Sequence, residues 1–286
     1  MTRPLRSVLF LPASNARAIE KARGLPCDAI VLDLEDAVGP EQKVEARERM
    51  WQALRDGGFG DRTVAVRIND LDSEWGEADM AAAVLAAPDA IVAPKVSGIG
   101  DLRRYDRHLL AAPGHVRLWA MIETCQGVLN LRDIAAEAGT TRLCALLFGP
   151  NDLAREMRCR PGPDRAPLQP ALAQTVTAAR ANGLHAFDGV YNAFEDDAGF
   201  AAEAAQGRMF GFDGKQLIHP RQIELAHAAY SPTPAEAAWA RAVVTAFEAP
   251  ENAGRGAIKV EGRMVERLHL DEARRTLAAA YLSINA

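Results

Sequence analysis

The chain has 286 residues, 49% of them hydrophobic and 25% charged, with a formal net charge of −5. That length suits one large α/β barrel or two domains of about 140 residues, and the mild acidity argues against general nucleic-acid binding, which needs a basic face. Cys27, Cys125, Cys144 and Cys159 make no CxxC pair and no zinc-ligand spacing, so reduced thiols are expected.

Residues 1–6 are polar and carry no apolar signal region. No apolar stretch approaches the roughly 20 residues that a membrane helix needs. A cytoplasmic protein without membrane contact is the expectation. Aliphatic or β-branched runs then recur at 7–11, 29–34, 64–68, 90–93, 116–122, 143–148 and 184–187, with a weaker one near 210–218. Ala-rich segments with charges at helical spacing lie between them, as at 15–23, 41–55 and 77–86. Strands alternating with helices imply a parallel sheet. Eight runs in about 220 residues fit a (β/α)8 TIM barrel. A doubly wound open sheet is the competing arrangement, but no Gly-rich GxGxxG turn follows the first run.

Pro232 and Pro234 punctuate the chain after the barrel. A helix over 235–249 follows, with Pro234 in its first turn. Then come a Gly- and Asn-containing loop at 250–256, a small hairpin over 257–265 turning at Glu261-Gly262, and a last helix over 270–282. The expected organisation is a catalytic barrel over residues 1–230 and a helix–hairpin–helix appendage over 231–286. The appendage is expected to cover a barrel mouth or to reach an adjacent subunit.

Barrel enzymes carry their active sites at the C-terminal ends of the strands, and here nearly every run ends in polar residues. The run at 29–34 leads to Asp33, Glu35 and Asp36, the next to Arg67 and Asn69, and the fourth to Lys95. Glu123 follows the fifth, Asp152 the sixth and Asp188 the seventh, and Lys215 and His219 belong to the eighth region. Such charges are expected to converge on one mouth. Glu123 and Asp152 follow neighbouring strands. Two carboxylates without nearby His or Cys suit Mg2+, which keeps its other positions for water or substrate; helix-cap or ion-pair carboxylates are the alternative. Arg67 reads either as a bidentate clamp for a substrate carboxylate or as an ion-pair partner of Asp33, Glu35 or Asp36. The acidic cluster reads as support for a metal site or for Arg67 rather than as direct ligands. Lys95 can form a Schiff base, but an ion pair with the acidic cluster is the simpler reading.

Several segments taken together carry a resemblance. They include Arg6-Ser-Val-Leu-Phe-Leu-Pro12, Asp28-Ala-Ile-Val-Leu-Asp-Leu-Glu-Asp-Ala-Val38, Val66-Arg-Ile-Asn69, Ala93-Pro-Lys-Val96 and Met121-Ile-Glu-Thr124 with Gly127. Phe148-Gly-Pro-Asn-Asp-Leu153, Phe187-Asp-Gly-Val-Tyr191, Gly199-Phe200, Gly211-Phe-Asp-Gly-Lys-Gln-Leu-Ile-His-Pro220 and Gly262-Arg-Met-Val265 complete the ordered set. In that order they resemble the citrate lyase β-subunit family, within the HpcH/HpaI aldolase group that includes malyl-CoA and citramalyl-CoA lyases. The resemblance implies a magnesium barrel enzyme and a homo-oligomer, often a trimer. It implies Glu123 and Asp152 as metal ligands and Arg67 as the holder of the keto-acid carboxylate. Glu35 and Asp36 resemble the residues that support the metal site. Pro12, Asn15, Lys21, Ile218 and Pro220 resemble segments lining a thioester or CoA channel.

The implied activity is carbon–carbon cleavage or formation in a short hydroxyacyl thioester of malyl, citramalyl or citryl type, through a thioester enolate and a keto acid. The thioester partner is CoA or an acyl carrier. One position departs from the pattern. Many relatives carry Asp two residues after the Met of Gly-x-Met, an apparent acid/base contributed by an adjacent subunit. Here Glu266 stands there, one methylene longer. A thioester hydrolase on the same scaffold, or a metal- and keto-acid-binding subunit of a larger complex, are the competing functions.

Overall fold

The computed structural model describes residues 4–284. These fall into two compact units, one over Leu5–Ala229 and one from Tyr230 onward with which Pro4 groups. The first unit is a closed barrel of eight parallel strands in sequence order. They are β1 (Ser7–Pro12), β2 (Ala29–Asp33), β3 (Thr63–Arg67), β4 (Ala90–Ala93), β5 (Arg117–Ile122), β6 (Leu143–Phe148), β7 (His185–Asp188) and β8 (Gly214–Leu217). A helical segment follows each strand, as the alternation in the sequence predicts. Among the described residues no helix is long and apolar enough to cross a membrane.

Side chains alternate across a strand with period two, and this decides what fills the barrel. Val8 and Phe10, Val31, Val92, Trp119 and Met121, Leu147 and Phe187 share one buried cluster inside it. Trp119 and Phe187 meet there with ring centroids 5.3 Å apart. The residues out of step with them, such as Leu9, Ile30, Leu32 and Ile91, are fully buried without belonging to that cluster. Each fully buried aliphatic or aromatic side chain contributes roughly 1.5–3 kcal/mol relative to exposure. Continuing the inward step along the chain places Pro12, Asp33, Arg67, Glu123, Gly149 and Gln216 at the C-terminal mouth.

The second unit has its own core. Its first helix, Pro234–Glu248, begins with a capping box in which the Thr233 hydroxyl accepts from the Glu236 N–H and the Glu236 carboxylate accepts from the Thr233 N–H. The hairpin β9 (Ala257–Val260) and β10 (Arg263–Glu266) turns at Glu261 and Gly262, whose φ of 46° and 84° suit a tight two-residue turn. Val243, Ile258, Val260, Val265 and Ala273 pack together beneath it. The last helix, Arg267–Ile284, starts three residues earlier than the sequence pattern suggests, directly from β10.

Candidate active site

The strand register builds the mouth. Asp33 on β2 stands directly opposite Arg67 on β3. Arg67 donates from Nε to Asp33 Oδ1 at 2.7 Å and from Nη2 to Oδ2 at 2.6 Å, a bidentate fork. Asp33 also accepts from the backbone N–H groups of Glu35 and Ala37. The guanidinium lies over the Phe10 ring, 5.3 Å from its centroid. Burial works against the Arg67 charge, but Asp33, Glu35 and Glu123 outweigh it and hold the group charged above its ordinary range. Nη1 points past the fork. It lies 2.9 Å from Glu35 Oε2, within ion-pair distance but not aligned as a hydrogen bond. The ion-pair reading of Arg67 therefore holds, and Nη1 is the donor group not committed to Asp33.

Glu35 is buried and bridges two cations. Its Oε1 accepts from Lys95 Nζ at 2.5 Å. Burial raises its pKa against the pull of Arg67 and Lys95. Burial opposes the Lys95 charge, yet the bond to Glu35 raises its pKa overall, so the amine stays protonated. A protonated, ion-paired amine is a poor Schiff-base nucleophile. Beneath this cluster Lys43 Nζ is buried among Leu34 O, Glu35 O and Asn69 Oδ1, at 2.9, 2.7 and 2.6 Å. It ties the loop after β2 to the end of β3.

Glu123 follows β5 and is 2% exposed. Its Oε1 accepts the Lys95 backbone N–H at 2.9 Å. Ile122 pairs with Phe148, so the next residues, Glu123 and Gly149, sit side by side. A Cβ on Gly149 would lie 2.4 Å from the Glu123 Cβ and 2.6 Å from its Oε2. Only glycine fits there. Burial, then the charge of Glu35, pushes the Glu123 carboxyl up to about 8 despite Arg67, and Asp152 adds to the rise. Asp152 lies in the first turn of the helix Pro150–Met157 and is ion-paired with Arg155.

A cavity of about 310 Å3 opens over these residues. Of the residues singled out in the sequence, Pro12, Asp33, Asp36, Arg67, Glu123, Asp152 and Ile218 line it together. Glu35 stands just behind, on Arg67 and Lys95. The others lie elsewhere. Asn15 caps the helix Ala16–Ala22 by accepting from the Ala18 N–H, and Lys21 is exposed in its last turn. Pro220 is half-buried outside the cavity lining, and exposed His219 stacks on Phe194 with centroids 4.9 Å apart. Glu266 belongs to β10 in the second unit, where its backbone N–H donates to His269 Nδ1.

Not every strand-end charge converges on the mouth. Lys215 and Asp188 are out of step with the inward-facing Gln216 and Phe187, and they form a sealed network instead. Lys215 Nζ donates to Asp188, Glu203 and Gly189 O, and Arg165 joins Asp188 at 2.6 Å. Burial opposes the Asp188 charge, but Lys215 and Arg165 prevail and lower its pKa. The sequence assigned no role to Gly149, Gln216, Asn151 or Asn192, although the first three fall within the motifs quoted above, and all four line the cavity. Counting the inward step of each strand finds the first two; Asn151 lies in the first turn of the helix Pro150–Met157 and Asn192 sits on a loop, and neither follows the strand period.

The donor set fits magnesium. Two hard carboxylates, one of them buried and destabilised as an anion by its neighbours, create a demand for positive charge that a divalent cation with open positions meets. Among the described residues no group of three or more His, Cys, Asp or Glu is arranged as a metal cluster, and Mg2+ needs only one or two protein carboxylates.

Residues 6–220 match the HpcH/HpaI aldolase/citrate lyase family. A (3S)-malyl-CoA thioesterase of Cereibacter sphaeroides is 49% identical over 97% of this chain and 95% of its own. The citrate lyase subunit beta of Escherichia coli is 38% identical over 99% of this chain and 95% of its own. The crystal structure of the protein CitE from Mycobacterium tuberculosis, in complex with magnesium, acetoacetate and coenzyme A, superposes with a TM-score of 0.78 at 27% identity, covering 97% of this chain and 98% of that one. The chain belongs to the HpcH/HpaI aldolase/citrate lyase family.

Proposed function

We propose that the protein is a magnesium-dependent enzyme acting on a short hydroxyacyl-CoA thioester, with hydrolysis of a malyl-CoA-type ester as its principal reaction. The observation that carries this is the meeting of Glu123, Asp152 and Arg67 in one small cavity. The thioesterase relative at 49% identity supports hydrolysis over the other reactions of the family. Glu123 and Asp152 hold the metal, which when bound polarises the acid's oxygens and offsets developing negative charge.

Arg67 binds the free carboxylate of the acyl half through Nη1, and Asp33 fixes the plane of its fork. Phe10, Pro12 and Met121 shield the acyl chain from bulk water. In hydrolysis the oxygen of water bonds to the thioester carbonyl carbon, the carbon–sulfur bond breaks, and a proton passes from water to the leaving thiolate. Glu266 carries that proton in this proposal, contributed by a neighbouring copy in a homo-oligomer. The channel residues Asn15, Lys21 and Pro220 are proposed to face the CoA moiety outside the cavity.

Carbon–carbon cleavage is the second reading, supported by the 38% identical citrate lyase relative. It uses the same carboxylate grip but releases a keto acid and an acetyl thioester. One assay separates the two: purified protein with Mg2+ and malyl-CoA, products followed by mass spectrometry. Free CoA with malate is expected. Acetyl-CoA with glyoxylate instead establishes the lyase. Turnover that survives EDTA removes magnesium from the reaction.

A further inference from the structure

Gln216 has no role in the site as built so far, yet its amide is buried and fixed in place. It lies on β8, in the inward step, opposite Val8 of β1. It is 2% exposed and lines the cavity. Its Nε2 donates to Phe148 O at 2.8 Å and to Asp188 O at 3.2 Å, the last carbonyls of β6 and β7. Both partners are carbonyl oxygens, which only accept, so the amide nitrogen must face them and the amide cannot flip. Both N–H groups are consumed.

Oε1 therefore points the other way. It accepts no hydrogen bond from any described residue, and it is not among the sealed unsatisfied atoms, so it opens into the cavity. An acceptor held in this way recognises only a donor. Arg67 on β3 and Glu123 after β5 each lie three strands across the barrel from β8, while Asp33 on β2 and Asp152 after β6 lie two strands from it. A neutral acceptor on β8 faces the acyl part of a ligand whose carboxylate is bound on that charged side. In a hydroxyacyl thioester the one donor carried by the acyl half is its hydroxyl.

We propose that Gln216 Oε1 accepts a hydrogen bond from the substrate hydroxyl and makes the site selective for hydroxyacyl over unsubstituted acyl thioesters. This rests on the thioester reading given above and deepens it. A ligand lacking the hydroxyl dries the cavity while leaving Oε1 unpaired. A pocket built around a hydroxyl rejects the analogue that lacks it strongly, whereas an apolar pocket hardly distinguishes the two. A keto oxygen brings no proton, so Gln216 also favours the hydroxyacyl ester over the keto acid that carbon–carbon cleavage would produce.

The test compares wild type with Gln216→Met, nearly equal in volume but without an acceptor. It measures kcat/KM for malyl-CoA and the inhibition constant of succinyl-CoA, the same ester without the hydroxyl. In the wild type we expect a KM for malyl-CoA at least tenfold below the succinyl-CoA inhibition constant. In Gln216→Met we expect kcat/KM for malyl-CoA to fall by tenfold or more, with succinyl-CoA bound as well as before or better. A variant that weakens both esters equally shows a merely structural amide and overturns the proposal, as does one that keeps the full preference. Gln216→Leu replaces the methionine variant if that one does not fold. If wild type with Mg2+ neither turns over malyl-CoA nor binds succinyl-CoA, the thioester reading itself fails, and the hydroxyl assignment with it.

Discussion

Asp33 and Arg67 form a buried pair in which each side chain depends on the other. Asp33→Asn leaves the guanidinium without its fork, and losing one partner of a buried pair costs about 3–5 kcal/mol. We expect a marked fall in the thermal midpoint, read by calorimetry, together with weaker acid binding. Arg67→Lys keeps the charge but not the planar fork, so KM for malyl-CoA should rise about 10–100-fold while the protein stays folded and Mg2+ still binds, as titration calorimetry would report. An unchanged KM would place the carboxylate grip elsewhere. Glu123→Ala should remove Mg2+ binding and lower the rate by about 100-fold or more, on the scale of losing one electrostatic stabiliser. These residues were legible in the sequence because charge at the end of an apolar strand is conspicuous. Gln216 was not, because an uncharged amide beside Lys215 attracts no notice until the inward step of β8 is counted.

The strands hold these groups at fixed heights, so small changes in the frame should act at a distance from the chemistry. In Gly149→Ala the new methyl collides with Glu123, and since Glu123 is squeezed between β5 and β6 it must move. We expect metal affinity to drop with little change in secondary structure by circular dichroism; intact affinity would mean that Glu123 does not ligate. At the base of the barrel, Ser7 Oγ accepts the Asp28 N–H at 2.9 Å and lies 2.8 Å from His227 Nε2. Burial lowers the His227 pKa from 6.5, with Arg6 adding to the shift and Asp28 and Glu224 opposing it. The folded chain thus prefers the neutral ring. Its contribution is full above about 6.5 and is lost as pH falls below that value and the unfolded chain takes up the proton. Denaturant midpoints should decline over that range in the wild type and less so in His227→Gln. Seven of the strand runs were plain in the sequence because they are short and apolar. β8 was blurred: two of the four residues in its Gly-Lys-Gln-Leu sequence are polar, and carboxylates and backbone carbonyls take up their N–H groups.

Across the whole molecule, Glu266 stands apart in sequence and unit from the carboxylates it is proposed to serve. Glu266→Gln should abolish turnover while substrate still binds. Mixing refolded Glu266→Gln with Glu123→Gln should restore part of the activity if the group acts between copies, whereas a mixture as inactive as its parents would confine it to its own chain or remove its role. The appendage was legible as a helix–hairpin–helix because prolines and a Glu-Gly turn mark its joints. The contact of Gly149 with Glu123 also bears on how this scaffold can be changed. Position 149 has no room for variation, 33 and 67 are locked to each other, and 123 is held between the Lys95 N–H and Gly149, so a randomised library spread over the mouth would spend most of its members on chains that cannot assemble the site. Ile218, 39% exposed on the same cavity, and Val190 carry no such interlock, whereas the Asn192 amide donates to Asn151 Oδ1. Breadth of acyl-chain acceptance should evolve at Ile218 and Val190 first, by swapping bulk at two permissive positions while the charged frame stays as it is.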